Sequence, residues 1–327
     1  MYQDQVREFV DYQTRVALWA IEQNRDADLV MTYLVQPDGA GHQFLLTDPR
    51  QATNPQDPNS IRAGQDRGKV DRYERYLKTA YHLANQSVQR LIDAVGTDAS
   101  GKPNSTILVV SDHGFSPFHT SVSVQNFLTN AGFDPNKVRG VSSGAAVNFY
   151  INLAGREPNG IVQPAEYQAL QQQLIRVLQT ATDANPHYTD GGTRLFDTIH
   201  ARPIPADLND PSMGRSTNEW IGKDTGDVLA ILHEGYNFDG AQRPPVQRSG
   251  DSPSAEPTLS IPTFYGTHGY DAERSAMSAI FFAAGGAIGQ GIIPKVHNID
   301  VAPTILTLLG IPPEPTMQGK AIELSGQ

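Results

Sequence analysis

Two short apolar runs, each leading into an acidic residue, constrain the fold of this chain most strongly. Leu29–Val35 (LVMTYLV) precedes Asp38, and Thr106–Ser111 (TILVVS) precedes Asp112. Runs of this length and composition predict buried strands, and a helical pattern separates them in the sequence. Helix, strand, helix and strand in succession are typical of a largely parallel sheet covered by helices. The sequence therefore predicts an α/β fold in which both acidic residues follow strand ends.

The helices flanking this sheet are predicted by apolar residues at three- and four-residue steps. Residues 6–21 form an approximate stripe, and residues 73–95 form a stronger one. A third amphipathic helix is predicted over 167–178. Asp300 is the expected N-cap of a last helix through Leu309, which Gly310 would close. Further apolar runs occupy residues 145–151, 227–232 and 277–283.

Polar segments rich in Gly, Pro, Asp and Asn interrupt this pattern. Residues 47–70 are predicted to form a long exposed loop. The region of about 183–262 has little periodicity outside the apolar run at 227–232. We interpret it as insertions or loops around a substrate cleft, with a small cap subdomain as the alternative. The length suits one large α/β domain or two ordinary ones, and we predict a single domain over residues 1–327.

Composition excludes several classes of function. The net charge of −10 argues against binding to a nucleic-acid backbone. The absence of cysteine excludes disulfides, thiolate catalysis and zinc sites with Cys ligands. No run reaches the roughly 18 apolar residues that span a bilayer. No signal peptide is visible at the N-terminus. The compartment stays open, and an extracytoplasmic location is compatible with the sequence.

The acidic residues at the two predicted strand ends are accompanied by histidines. His42 lies four residues after Asp38, and His113 is adjacent to Asp112. The carboxyl ends of parallel strands share one rim of a sheet, where ligands gather. Carboxylate and imidazole together suit zinc, or manganese at a more oxygen-rich site. Each motif alone also has a plain structural interpretation, such as an N-cap or a polar loop histidine.

Three motifs together resemble the type I phosphodiesterase/nucleotide pyrophosphatase family of the alkaline phosphatase superfamily. They are Gln36–His42 (QPDGAGH), Ser111–Phe115 (SDHGF) and Gly266–Asp271 (GTHGYD). The resemblance runs from about residue 28 to the C-terminus. It implies an alkaline-phosphatase-like sheet and a small-molecule phosphate ester as substrate.

The resemblance also implies two zinc ions. Asp38, His42 and His268 would bind one ion, and Asp112 with His113 would bind the second. In the family, an early Asp and a Thr or Ser nucleophile complete the second site, both N-terminal to the D-x-x-x-H motif. Residues 1–37 match neither element. We therefore expect no catalytic nucleophile in this chain, which would be a C-terminal fragment or, as the alternative, a degenerate homologue.

The predicted function is metal-dependent hydrolysis of phosphate esters, as a phosphodiesterase or nucleotide pyrophosphatase. A phosphomonoesterase or phosphonate hydrolase on the same scaffold is one alternative, and a non-catalytic relic is the other. Tyr270 would pack against a substrate base or shield the metal. His119 is interpreted as a loop histidine without a catalytic role. Three arginines are interpreted as surface residues, with contact to a substrate phosphate as the alternative: Arg139, Arg156 and Arg215.

Overall fold

The computed structural model describes residues 1–286 and 288–324. Its α-helices are α1 (Tyr2–Gln23), α2 (Asp38–Phe44), α3 (Arg67–Val95), α4 (Val124–Asn130), α5 (Pro164–Thr180) and α6 (Val301–Leu308). Its first strands are β1 (Ile107–Val110), β2 (Ser116–Pro117), β3 (Thr120–Val122), β4 (Val138–Ser143), β5 (Ala146–Ile151), β6 (Thr182–Asp183) and β7 (Thr193–Arg194). The others are β8 (Phe196–Ala201), β9 (Val228–Leu232), β10 (Tyr236–Asn237), β11 (Leu259–Ser260), β12 (Gly266–Thr267) and β13 (Phe281–Ala284). No described helix is both long and apolar enough to cross a membrane.

The chain divides into two compact units. The first, called the terminal unit, comprises Met1–Ala40, Arg75–Gly114 and Ala279–Gln327; the second, called the central unit, comprises Gly41–Glu74 and Phe115–Ser278. In the terminal unit, α1 packs on α3 through Val6, Val10 and Leu83. Strand β1 pairs antiparallel with β13. The predicted helices over 6–21 and 73–95 and the last helix are confirmed. The strand within 106–111 is present as β1, but it is only partly buried and not buried as predicted.

The predicted strand Leu29–Val35 is wrong, because this segment forms no regular structure. Its first five residues are exposed, from 44% for Val30 to 80% for Met31 among the apolar ones, and Leu34 and Val35 are only partly buried. A strand requires a neighbour that accepts and donates its backbone hydrogen bonds. Apolar composition alone cannot supply that neighbour, and no described strand pairs with this run.

The central unit contains a four-stranded antiparallel sheet in the order β4-β5-β9-β8. On β5, alternate residues Val147, Phe149 and Ile151 are fully buried, as expected for one face of a strand. Helix α5 lies against β8 and β9. It buries Tyr167, Gln171, Leu174 and Leu178 at helical spacing, so the predicted helix over 167–178 is confirmed.

The fold is α/β in content, but the predicted parallel central sheet is not confirmed. Among the named strands of residues 1–286 and 288–324, only β3 and β10 pair in parallel, and the remaining pairs are antiparallel. The region 183–262, interpreted as loops, supplies β8 to the four-stranded sheet. The segment Phe196–Ala201 (FDTIHA) has too many polar residues to show the pattern of a buried strand. It forms a strand because it pairs with a neighbouring strand.

The predicted exposed loop at 47–70 is wrong in part, because helix α3 begins at Arg67 and several residues before it are buried. Gln51 explains how so polar a segment can enter the interior. Its amide nitrogen donates to the carbonyls of Leu45, Phe118 and Tyr265, and its amide oxygen accepts from the backbone of Thr47 and Asp48. A buried amide with satisfied hydrogen bonds costs little.

The central unit also encloses charged networks. Asp227, fully buried, accepts two bonds from Arg156, at 2.5 and 2.7 Å, and one from the Tyr167 hydroxyl at 2.6 Å. Arg202 forms a second ion pair with it at 3.4 Å. Arg156 is therefore a partly buried structural residue, 15% exposed, and not the surface arginine predicted. Arg139 and Arg215 do lie at the surface, bonded to backbone carbonyls.

A second buried network joins Asp183 to Arg248 by two bonds, at 2.7 and 3.0 Å. The Tyr236 hydroxyl also donates to Asp183, at 2.8 Å. Burial favours the neutral form of this carboxyl, but the Arg248 guanidinium and the other donors hold the pKa of Asp183 below its usual range. The ionised carboxylate is thus part of the folded state.

Candidate metal centre

Helix α2 carries two of the predicted ligands. It begins at Asp38 and is continuous through Ala40 and Gly41, where the chain passes from the terminal to the central unit. Residues four apart on a helix lie one above the other on the same face. The Asp38 carboxylate and the His42 ring are therefore placed side by side by the helix itself. The short turn inferred from the sequence is a helical turn.

The orientation of His42 is fixed by a main-chain carbonyl. Its Nδ1 lies 2.9 Å from the Gly266 oxygen. A carbonyl can only accept, so Nδ1 carries the hydrogen and the neutral ring has its lone pair on Nε2. Such a bond to the far nitrogen is the usual support of a metal-ligating histidine, because it sets both tautomer and ring direction.

Gly266 permits this close approach of β12 to α2. A Cβ at this position would collide with the Gly41 carbonyl oxygen and come within 2.8 Å of the Phe115 ring. A Cβ at Gly41 would likewise come within 3.1 Å of that ring. Two glycines and a phenylalanine thus bring the strand to the helix. Glycine inside a strand often marks such a contact, which is the one signal in the sequence for it.

Strand β12 delivers the third predicted ligand, His268, which follows it directly. Gly266 and Thr267 pair with Pro117 and Ser116 of β2. The His268 ring centroid lies 5.2 Å from that of His42 and 5.5 Å from that of Phe115. Gly269 then adopts a φ of +85°, a conformation that suits glycine and turns the chain immediately after the ligand.

Asp38, His42 and His268 form the one group of three such side chains, among the residues described, with ligand atoms close enough for a metal ion. One ligand atom from each lies within 4.8 Å of the others. Zinc binds carboxylate oxygen and imidazole nitrogen at about 2.0–2.2 Å, so small side-chain rotations would bring all three atoms onto one ion. One carboxylate and two imidazoles are a donor set that zinc uses, and the residues present fit the metal.

Asp112 and His113 form a separate pair in the terminal unit, directly after β1. His113 Nδ1 lies 2.9 Å from the Gly114 carbonyl oxygen, which again leaves Nε2 with the lone pair. That nitrogen lies 3.5 Å from Asp112 Oδ2, a separation suited to two ligands of one ion. The Asn298 amide donates to the Asp112 carbonyl at 2.7 Å. Within the described residues, the pair belongs to no group of three ligands.

His119 and Tyr270 have structural roles. His119 is fully buried, and burial, together with the Arg50 charge, lowers the pKa of His119 to about 3, so the ring is neutral. The buried Tyr270 hydroxyl donates to the Tyr236 carbonyl at 2.7 Å. The Tyr270 side chain is therefore part of the interior of the central unit. Its proposed contact with a substrate base stays a prediction.

The residues that hydrogen-bond to the strand pair preceding His268 were not predicted from the sequence. The buried Thr267 hydroxyl donates to the Asn237 amide oxygen at 3.1 Å. The Ser116 hydroxyl, opposite Thr267 in the strand pair, donates to Glu234 at 2.5 Å. Asn237 and Glu234 lie about 30 residues before Thr267 in the sequence, without a pattern that links them to it. Only the fold brings them together.

Comparison with known proteins gives a family, and solved structures are among the matches. Residues 2–271 match the family model for type I phosphodiesterase / nucleotide pyrophosphatase. A solved structure of phosphonoacetate hydrolase from Sinorhizobium meliloti 1021, in complex with phosphonoformate, is 14% identical, with a TM-score of 0.31. The match covers 59% of this chain and 40% of the other, so this chain spans well under half the length of that protein. No curated protein matches significantly.

Proposed function

The chain belongs to the type I phosphodiesterase/nucleotide pyrophosphatase family, whose members hydrolyse phosphate esters, and from that premise we propose that it provides the metal centre of a phosphodiesterase or nucleotide pyrophosphatase. The convergence of Asp38, His42 and His268 supports this proposal most directly. These residues come from motifs more than 220 positions apart, and structural packing alone gives no reason for three ligand side chains to meet.

When bound, a divalent ion at such a centre supplies Lewis-acid polarisation of a phosphoryl oxygen and lowers the pKa of water. The protein's own part is to hold and orient. His42 presents Nε2 because Gly266 holds Nδ1. The Phe115 ring packs edge-on against both histidine rings, with centroids 4.8 Å from His42 and 5.5 Å from His268. The carboxylate of Asp38 would balance the charge of a cation held there.

We further propose that Asp112 and His113 contribute to a second ion, and that zinc occupies both positions. In the family, the covalent step uses a hydroxyl nucleophile on the N-terminal side of the D-x-x-x-H motif. Here residues 2–23 form α1 and residues 29–35 form no strand that leads into a nucleophile turn. We therefore expect this chain by itself to bind zinc and to hydrolyse esters very slowly.

Zinc stoichiometry and substrate assays test the proposal together. Metal-free protein is titrated with zinc by calorimetry, and a phosphodiester, a phosphomonoester and a phosphonate are assayed side by side. We expect at least one zinc per chain and, for any residual hydrolysis, a preference for the diester. His42→Ala should abolish the tightest zinc equivalent.

The matched control is His82→Ala, which removes an exposed histidine of α3. Failure of the unaltered chain to bind zinc would refute the metal centre, as would equal zinc binding by the His42→Ala and His82→Ala variants. A preference for the monoester or the phosphonate would replace the proposed substrate class. Zinc binding without hydrolysis of any of the three substrates would favour a non-catalytic relic.

A further inference from the structure

The segment that carries His268 is held by hydrogen bonds on both sides of the histidine. On the N-terminal side, the Thr267 hydroxyl bonds to Asn237 Oδ1 at 3.1 Å. On the C-terminal side, the Tyr270 hydroxyl bonds to the Tyr236 carbonyl at 2.7 Å. Both acceptors belong to residues 233–239, which we call the support segment. Thr267, Asn237 and Tyr236 are at most 1% exposed, so these bonds do not compete with water.

The support segment holds the neighbouring elements as well. Glu234 accepts from Ser116, which pairs with Thr267 across β2 and β12. Asp239 Oδ2 accepts from the Gly144 backbone at 2.7 Å. Gly144 has a φ of +56°, and a Cβ there would come within 2.8 Å of the His268 carbonyl oxygen. The strand β12 that precedes His268, its partner strand β2 and the turn at Gly144 are thus all hydrogen-bonded to one seven-residue segment.

We propose that the support segment is a positioning element for the metal ligand His268, and that Asn237, acting through Thr267, is its principal residue. The inference rests on the proposed metal centre and assigns a role to residues outside the ligand set. A ligand held within a few tenths of an ångström binds its ion without first being ordered, so loosening the support weakens metal binding. Partners that orient ligands in this way typically affect metal affinity by about 10- to 100-fold.

The test replaces Thr267 with residues of nearly equal size. Thr267→Val removes the hydroxyl, keeps the branched shape and leaves Asn237 Oδ1 without its donor. Thr267→Ser keeps the hydroxyl. The dissociation constant for zinc is measured by competition with a chromophoric chelator, and thermal unfolding is followed in EDTA. We expect Thr267→Val to weaken zinc binding by about tenfold or more, and Thr267→Ser to bind as the unaltered chain does.

Thr189→Val is the matched control, because it removes a buried hydroxyl of the central unit that bonds within its own loop, to Asn185 and Gly192. It should lower thermal stability without changing zinc affinity. If Thr267→Val does not fold, Tyr270→Phe removes the other bond and should weaken zinc binding severalfold. Equal zinc affinity of folded Thr267→Val or Tyr270→Phe and the unaltered chain would overturn the positioning role alone. Absence of zinc binding by the unaltered chain would overturn the metal centre itself.

Discussion

The two compact units differ in how they bury apolar surface and charge. The central unit encloses a large apolar cluster together with the Asp227 and Asp183 networks. The terminal unit has a small cluster between α1 and α3, and its Arg90–Asp11 pair is exposed to solvent. It also leaves large apolar side chains such as Trp19 and Phe282 more than half exposed. Interior packing in this chain is concentrated in one unit.

The same contrast separates the two sets of predicted metal ligands. His42 and His268 are surrounded by Phe115, a main-chain carbonyl and the support segment. The Asp112 side chain is 70% exposed, and its pair with His113 is held by the Gly114 carbonyl and by one bond from the Asn298 amide to the Asp112 carbonyl. A ligand group is preassembled where the surrounding residues are packed and hydrogen-bonded. The first zinc equivalent should therefore bind at the group that includes His268.

The largest expected effect concerns buried charge in the central unit. Asp227→Ala removes the carboxylate shared by the buried Arg202 and the partly buried Arg156, and breaking a buried pair in this way costs about 3–5 kcal/mol. Urea denaturation should show this loss. Asp224→Ala, at an exposed position nearby in the sequence, is the control. A loss no larger than that of the control would mean that the Asp227 network contributes nothing to the stability of the central unit.

The next effect sharpens the contrast between the ligand sets. His268→Ala removes a member of the three-ligand group and should weaken the first zinc equivalent on the order of 100-fold, or about 2.7 kcal/mol. His113→Ala should leave that equivalent unchanged, because His113 is outside the group. Calorimetric titration of both variants measures the difference. Equal losses in the two variants would show that the two sets act as one site from the first ion onward.

A smaller effect is expected from pH. The pKa of Asp183 is lower in the folded chain than its ordinary value, so its ionised form stabilises the fold at neutral pH. That contribution is fully present above the unfolded pKa of about 4 and is lost as pH falls through the folded value. Urea midpoints measured downward from pH 6 should fall less steeply for Asp183→Asn than for the unaltered chain. Parallel pH curves would exclude this carboxyl as a source of acid sensitivity.

The smallest effect lies in the terminal unit. Arg90→Ala removes the exposed pair with Asp11, whose attraction is screened by water and salt. No measurable change in the urea midpoint is expected, at either low or high ionic strength. A clear, salt-dependent loss would mean that the terminal unit relies on its surface charges more than its exposure indicates.

The sequence predicts the helices of this chain better than it predicts the sheet. The helices over 6–21, 73–95 and 167–178 carry their own signal, because an amphipathic stripe reports directly on one buried face. Leu29–Val35 carries an equally strong apolar signal and forms no strand, since pairing depends on a partner that the run itself does not encode. Strand β8 is the opposite case. Its residues have only a weak intrinsic preference for strand, and the segment forms a strand because it pairs with β9.

The candidate metal centre divides in the same way. Spacing alone placed Asp38 and His42 together, and the resemblance to a known family added His268. The support from Asn237 and the carbonyl of Gly266 could not be predicted, because these contacts join segments far apart in sequence through backbone geometry. The glycine at position 266 is the one indication in the sequence that another chain segment lies close to it.

The bond from His42 to Gly266 has a consequence for how this centre can change over evolutionary time. Its acceptor is a main-chain oxygen, which every amino acid possesses, so no substitution at position 266 deletes it chemically. A mutation can abolish it only by displacing the backbone, as any side chain larger than hydrogen would do there. The tautomer of His42 thus depends on where the backbone lies and not on the identity of a second side chain, and glycine at position 266 is what allows the backbone to lie there.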